Sequence, residues 1–359
     1  MQKKVLIVGA SGLVGTAAAN SFAQAGWQVI TASRRRPELL SEKNFEFIAL
    51  DLQNEAACAD ALKELTGITH IVYTAVFELP GLVHGWSDPN QISTNGQMLK
   101  NLLLGLEESN RLEHVTLLQG TKAYGAMVGP MRVPARESQS RVEHPNFYWL
   151  QEDFLRGHAK QHSYDFTILR PQMIVGPNHG VVMNLPPVIG VYAALRTAEG
   201  LPFSFPGGAD RVLEAVDVRL VGAACRWAAT ERSAVGQTYN LTNGEVFSWR
   251  DMWPAIASAL EVAIGDDEPL SIAEYFADRS GLWDSLVVDH NLKSNTLAQV
   301  VGESHYYADL CLAYGVSEPL PPIFVSTIKI NQAGFTQTYN SEESFCYWLR
   351  DLRTRRIIP

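Results

Sequence analysis

Gly9, Gly12 and Gly15 recur at three-residue intervals directly behind the apolar run Val5-Leu-Ile-Val8. Glycines at a strand-to-helix turn accept unusual backbone angles and let main-chain N–H groups approach a pyrophosphate at the positive end of the next helix. A GxxGxxG spacing alone also fits a plain tight turn; its place behind the first strand of an alternating chain makes it a phosphate cradle. The second strand then runs into Thr31-Ala-Ser33-Arg34-Arg35-Arg36-Pro37, with no acid before Glu38. A turn for NAD usually offers a carboxylate to the ribose 2′-hydroxyl, whereas guanidinium groups pair with a 2′-phosphate, so this turn favours NADPH over NADH. A solvated basic turn is the bland alternative. Asp51-Leu52, past the third strand, is placed to meet an adenine edge, and Thr74-Ala75-Val76 ends the fourth beside the expected cofactor channel.

The second chemical signal is a Tyr and a Lys. Nicotinamide enzymes on this kind of sheet commonly belong to the short-chain dehydrogenases, whose active Tyr is followed four residues later by Lys. None of the 12 tyrosines here meets that spacing; Tyr148 is followed by Glu152. Instead the fifth strand ends in Leu118-Gln119-Gly120-Thr121-Lys122-Ala-Tyr124-Gly125, at the carboxyl end of the sheet where open α/β folds bind ligands. A helix from Phe147 would present Tyr148 across the same cleft. Hydride added to the β carbon of an enone leaves negative charge on the carbonyl oxygen, which a Tyr hydroxyl aimed at it stabilises. A nearby ammonium is expected to lower the Tyr pKa from about 10. An isolated alkene has no such electron sink, so the substrate should carry a conjugated carbonyl. The competing reading makes Tyr148 a packed helix residue and Lys122 a solvated loop charge.

The elements that must position these groups are legible as an alternation. Strands are expected at Lys4–Val8, Gln28–Ala32, Glu46–Leu50, His70–Thr74, Val115–Gln119 and Thr167–Leu169. Helical patterns lie at Glu55–Leu65, Gln97–Glu108 and Phe147–His162, with another from the glycine turn to Gly26. This is an α/β chain with a doubly wound parallel Rossmann sheet and right-handed crossovers. After Arg170-Pro171 the alternation stops, and Pro, Gly and aromatic residues crowd the loops. Residues 1–175, rejoined by 237–242, are therefore expected to form an NADP-binding domain, with 176–236 and 243–359 as a smaller interleaved substrate-binding region.

Gly9 to Gly15, Ser33-Arg34-Arg35, Lys122 in Gly-Thr-Lys-x-Tyr, Asn146-Phe-Tyr148 with Glu152-Asp153, Arg170-Pro171-x-x-Ile174-x-Gly176 and Asn240-x-Thr-Asn243-Gly244 together resemble the progesterone 5β-reductase / iridoid synthase family. That family comprises atypical extended short-chain dehydrogenases, and the similarity runs from the first strand to Ile357-Ile-Pro359. The resemblance implies NADPH-dependent 1,4-reduction of a C=C bond conjugated to a carbonyl. It places Ser11, Gly12 and Leu13 on the diphosphate, Arg34 and Arg35 on the 2′-phosphate, and Asp51 and Leu52 on the adenine. Gln119, Tyr148, Ile174 and Val181 to Met183 would line the ribose and nicotinamide end, with Lys122 and Tyr148 as the catalytic pair. Candidate substrate walls are Phe77, Met127, Trp149, Met173, Met183, Tyr192 and Phe345.

Composition bounds the remaining options. With 359 residues, 46% apolar and 19% charged, the chain can bury a large core and is not disordered or fibrous. A net charge of −9 argues against a dedicated nucleic-acid or anionic-membrane binder, leaving a small molecule as the expected partner. The four cysteines, Cys58, Cys225, Cys311 and Cys346, are scattered and read as buried thiols in a reducing compartment; no Cys or His spacing suggests a metal. Four apolar residues after Met1-Gln-Lys-Lys are too few for an export signal, and no segment approaches the roughly 20 of a membrane span. A soluble, cytoplasmic protein is expected, with a homodimer kept open. Three functions compete: an enone reductase, a carbonyl reductase or epimerase/dehydratase of the extended class, and a non-catalytic NADPH sensor. The missing Tyr-x-x-x-Lys and the lack of a second basic cluster for a nucleotide sugar weigh against the second, while a sensor has no need of Lys122 and Tyr148 in one cleft.

Overall fold

The computed structural model describes residues 3–38, 45–106, 110–293 and 296–359. Short apolar runs build its centre, because strands covered by helices on both faces have no polar side to offer water. Lys4–Val8 (β1), Gln28–Ser33 (β2), Phe45–Ala49 (β3), His70–Tyr73 (β4), His114–Leu118 (β5) and Asp165–Pro171 (β6) are joined through helices that include Leu13–Gln24 (α1), Glu55–Leu62 (α2), Pro89–Leu106 (α3) and Phe147–His162 (α4). Beyond them lie Met173–Val175 (β7), Leu185–Ala198 (α5), Val212–Leu213 (β8), Ala215–Asp217 (β9), Val218–Ala228 (α6) and Gln237–Leu241 (β10). The main sheet has seven parallel strands in the order β10-β6-β5-β4-β1-β2-β3, the reversal of direction falling between β1 and β4. The doubly wound sheet is thus as expected, and β10 rejoins it beside β6 with Tyr239 opposite Leu169.

Two elements are longer than the apolar pattern suggests. β6 runs over 165–171, not 167–169, because β5 and β10 pair with its two sides and recruit its polar first residue, Asp165, opposite His114. α3 starts at Pro89, eight residues before Gln97, where proline suits a first helical position. The Asp88 carboxylate accepts from the N–H groups of Asn90 and Gln91 (2.8 and 3.0 Å). Gln91 and Asn95 lie in this added stretch and are buried, the Asn95 amide spent on neighbouring backbone groups and the Gln91 amide on the Leu79 N–H and the Glu78 carboxylate, so polar residues there hide a helix from any hydropathy pattern. The expected end of that helix at Glu108 lies outside the described residues.

α2, α3 and α4 cover one face of the sheet and α1 and α6 the other. Phe22, on the buried side of α1, is fully enclosed and contributes about 2–3 kcal/mol of transfer free energy. A third apolar cluster gathers α5, the helices Trp249–Leu260 and Ser341–Thr354, and the loops between them. β7 and β9 pair in parallel, Met173 opposite Ala215, between this cluster and the carboxyl ends of the main strands. Among the described residues no helix is long and apolar enough to cross a membrane.

Candidate functional site

The glycine turn is closed to side chains at two points. Gly9 has φ +82°, and a Cβ there would lie 2.6 Å from the Ala75 nitrogen; one on Gly15 would lie 2.3 Å from the Gly9 carbonyl oxygen. Gly12 precedes α1 in extended conformation, and no side chain caps that helix, so its first N–H groups face outward beside a positive helix end. The Thr74 hydroxyl donates to the Val8 carbonyl at 2.8 Å and holds the end of β4 against the turn. Arg34 and Arg35 follow β2 directly, are exposed, and make no ion pair among the described residues. Ser33 donates its hydroxyl to the Arg35 carbonyl at 2.6 Å and shapes the turn. Asp51 and Leu52 stand behind β3, so these candidates follow the carboxyl ends of β1, β2 and β3 in spatial order along the sheet.

A cavity of about 610 Å³ opens at the carboxyl ends of β1, β4, β5 and β6. Gly12, Leu13, Thr74, Ala75, Val76, Gln119, Lys122, Tyr148, Ile174, Val181 and Met183 all line it. Gly9, Ser11, Gly15, Ser33, Arg34, Arg35, Asp51 and Leu52 do not; they lie along the strand ends outside it. Asn146 ties the Tyr and Lys segments together: its side-chain oxygen accepts from the Tyr148 N–H (3.0 Å) at the start of α4, and its amide donates to the Lys122 carbonyl (3.2 Å). The Tyr148 hydroxyl reaches over Gly120, where a Cβ would come within 3.3 Å of it.

Beneath this pair runs a buried polar network. Arg170 on β6 donates to Gln119 Oε1 (2.9 Å) and to Glu152 Oε2 (3.3 Å), and Gln119 donates to Glu152 and to the Tyr148 carbonyl (3.3 Å each). Burial pushes the Glu152 carboxyl up, but Arg156, Arg170 and Arg141 outweigh it and hold the group below the usual range. The network fixes α4 against the end of β5 and so the register of Tyr148 over Gly120.

The electrostatics differ from expectation at one point. Burial, with the Glu78 charge adding to it, raises the Tyr148 pKa above the ordinary phenol value, and the cation drawing it back is Arg170. The Lys122 ammonium is turned instead to Trp86 and Glu78: it sits 3.5 Å from the Trp86 ring centroid, its pKa lowered by burial and pulled back up by Glu78. Burial in turn raises the Glu78 carboxyl, whose Oε2 accepts from Gln91 at 2.5 Å. The cation set against the rise at Tyr148 is thus Arg170, while the Lys122 ammonium lies against the Trp86 ring.

Other wall residues were not anticipated. Glu78 lies two residues beyond Val76, and extending the strand-end argument by that much would have found it. Trp86, from a short turn at Leu82–Ser87, Arg211 and Glu214, from loops, and Tyr307, from the helix Ser304–Cys311, are brought in with no local signature. Of the expected substrate walls, Met127, Met173 and Met183 line the cavity. Phe77 and Trp149 do not, and Tyr192 and Phe345 are fully buried in the third apolar cluster, since aromatic side chains at helical spacing serve packing first. Asp217 is buried, begins α6 and accepts from Arg219 and from the Trp348 indole, a structural position. Among the described residues His144 hydrogen-bonds only to Val142 and Asn146. All four cysteines are buried, unpaired thiols.

The chain is similar to known proteins over nearly its whole length. Residues 5–242 match the NAD dependent epimerase/dehydratase family. An (S)-8-oxocitronellyl enol synthase of Nepeta cataria is 30% identical, with 99% of this chain and 91% of the relative aligned. The 3-oxo-Delta(4,5)-steroid 5-beta-reductase of Arabidopsis thaliana is 28% identical over 99% of this chain and 92% of its own. Among solved structures, UDP-glucose 4-epimerase from Bifidobacterium longum, in complex with NAD+ and UDP, superposes with a TM-score of 0.68 at 15% identity, covering 99% of both chains. The Thermus thermophilus UDP-glucose 4-epimerase complex with NAD gives 0.65 at 17% identity, over 98% of this chain and 99% of that one. These likenesses are of fold.

Proposed function

The chain belongs to the NAD dependent epimerase/dehydratase family, and from that membership and the cavity's geometry we propose that it is an NADPH-dependent reductase of α,β-unsaturated carbonyl compounds, adding hydride to the activated C=C bond. One observation carries the reading: Asn146 locks Tyr148 and Lys122 onto one wall of a largely apolar cavity continuous with the glycine cradle. Its enone-reducing and enol-forming relatives, similar over nearly their whole length, support it. Residues 1–175 with 237–242 are the cofactor-holding part, and 176–236 with 243–359 close the cavity through Val181 to Met183, Arg211, Glu214 and Tyr307. We assign every group named here to one chain and place the protein in the cytoplasm, as a monomer or a homodimer.

A dinucleotide fits the residues present. Side chains at Gly9 and Gly15 would collide with the backbone of Ala75 and of Gly9 and open the tight turn, and beside the uncapped start of α1 Ser11, Gly12 and Leu13 would meet a diphosphate, the Gly12 N–H itself being held by the Gly9 carbonyl at 3.0 Å. Arg34 and Arg35 meet the 2′-phosphate that distinguishes NADPH, and Asp51 and Leu52 the adenine. The nicotinamide, when bound, supplies the hydride.

Within the cavity the chain's own groups organise the acceptor. The Tyr148 hydroxyl, kept protonated by its raised pKa, donates a hydrogen bond to the substrate carbonyl oxygen and stabilises the charge that gathers there. Lys122, its ammonium against the Trp86 ring, contributes a positive potential in surroundings that exclude water and so strengthen it. Apolar walls from Met127, Met131 and Met173 hold the hydrocarbon part.

The test follows NADPH oxidation with enones, simple aldehydes and nucleotide sugars, and identifies the product. A saturated carbonyl product is expected. An allylic alcohol points to a carbonyl reductase, and turnover of nucleotide sugars to an epimerase or dehydratase. Tight NADPH binding without any turnover points to a sensor.

A further inference from the structure

Glu214, between β8 and β9, is the cavity's second carboxylate and takes no part in the chemistry above. Two donors converge on one of its oxygens: the Val325 N–H at 2.9 Å and the Gln172 amide at 3.2 Å both reach Oε2. Oε1 has no hydrogen bond among the described residues, and no cation forms an ion pair with the group there. Arg211 lines the same cavity but gives its Nη2 to the carbonyls of Leu310 and Cys311. Met173, Leu213, Leu320 and Ile323 supply apolar surroundings, where an unpaired carboxyl is costly unless something meets it. Burial accordingly raises its pKa to about 7.

Building on the enone-reductase reading, we propose that Glu214 Oε1 is a specificity subsite that accepts a hydrogen bond from the substrate, which is an enone bearing a hydroxyl group separate from its conjugated carbonyl. The subsite lies across the end of β6 from Tyr148: Gly120, beneath the Tyr148 hydroxyl, faces Pro171, and Gln172 next along the chain bonds to Glu214. A substrate held at both points would present its carbonyl to Tyr148 and its hydroxyl to Glu214. A hydroxyl suits the carboxyl in either protonation state, since it can donate to the anion and both give and take with the acid. A substrate carboxylate would be repelled by the anion, and a bare hydrocarbon would leave Oε1 unsatisfied.

The experiment compares two enones of the same skeleton, one with the hydroxyl and one with hydrogen in its place, in the wild type, Glu214→Leu and Glu214→Gln. The wild type should favour the hydroxylated compound by about tenfold or more in kcat/KM, as a hydrogen bond to a charged group implies. Glu214→Leu should bring the ratio near one, and Glu214→Gln, which keeps an acceptor, should retain part of the preference. Equal use of both compounds by the wild type, or equal losses on both in Glu214→Leu, overturns the subsite. Calorimetric binding of the two compounds to protein saturated with NADP+ reads the same preference without turnover. Absent turnover of every enone, with the binding preference intact, would thus fail the reductase reading and keep the subsite.

Discussion

The Lys122 ammonium rests 3.5 Å from the centroid of the Trp86 ring, on the side of the cavity where Glu78 is also buried. Burial lowers the Lys122 pKa and Glu78 pulls it back up, with the Trp86 ring face set against the ammonium. Glu78→Gln removes the group that raises the Lys122 pKa, so the ammonium should lose its proton at lower pH. The basic limb of the kcat/KM profile then moves down, the ratio of activity at about pH 8.5 to that at about pH 6.5 falling by roughly threefold or more. A profile identical to wild type would show that turnover does not use the Lys122 charge.

Tyr148 is the donor expected to meet the substrate oxygen. Tyr148→Phe keeps the ring and the Asn146 cap, which uses only the backbone N–H. Its kcat should fall by about 10²–10³, the cost of one oxyanion donor, with the NADPH dissociation constant nearly unchanged. Single-turnover rates and a fluorescence titration measure the two quantities separately.

Arg34 and Arg35 have no acidic partner among the described residues to lose. Replacing both with Ala should weaken NADPH binding by about 10–100-fold and leave NADH binding nearly as it was, because only the former carries a 2′-phosphate. Equal weakening of the two cofactors would remove this turn from the specificity assignment.

His70 on β4 and His114 on β5 are register partners buried within the sheet. His70 bonds to Thr69 and the Ala229 carbonyl, and His114 to Thr167. Burial lowers their pKa values to about 4 and about 3, below the 6.5 of a free imidazole. The unfolded chain therefore binds protons that the folded one refuses. Stability should be full above about pH 6.5 and fall as pH drops through the window down to 4 and 3, by several kcal/mol in all. Urea midpoints between pH 7.5 and 4.5 should show this fall, and His114→Asn should flatten it; parallel slopes would assign acid sensitivity elsewhere.

The chain's local chemistry determined the sheet and the candidate cofactor stations. Apolar runs punctuated by Gly9, Gly12 and Gly15, and the Arg34–Arg35 turn behind β2, act through neighbours a few residues away, so spacing alone reveals them. The displaced Lys122 and Tyr148 were legible because each sits at the start of an element whose end of the sheet is known. Tertiary structure alone decided where those groups point. Trp86 and Glu78 capture Lys122 from another loop, while Arg170 reaches Gln119 and Glu152 from β6. Glu214 meets the cavity only because Val325, over a hundred residues later, folds back onto it (|i−j| = 111). Contacts at such separation are set by packing of the whole chain, and no periodicity in the sequence encodes which side chain will be left with an unsatisfied oxygen facing a cavity.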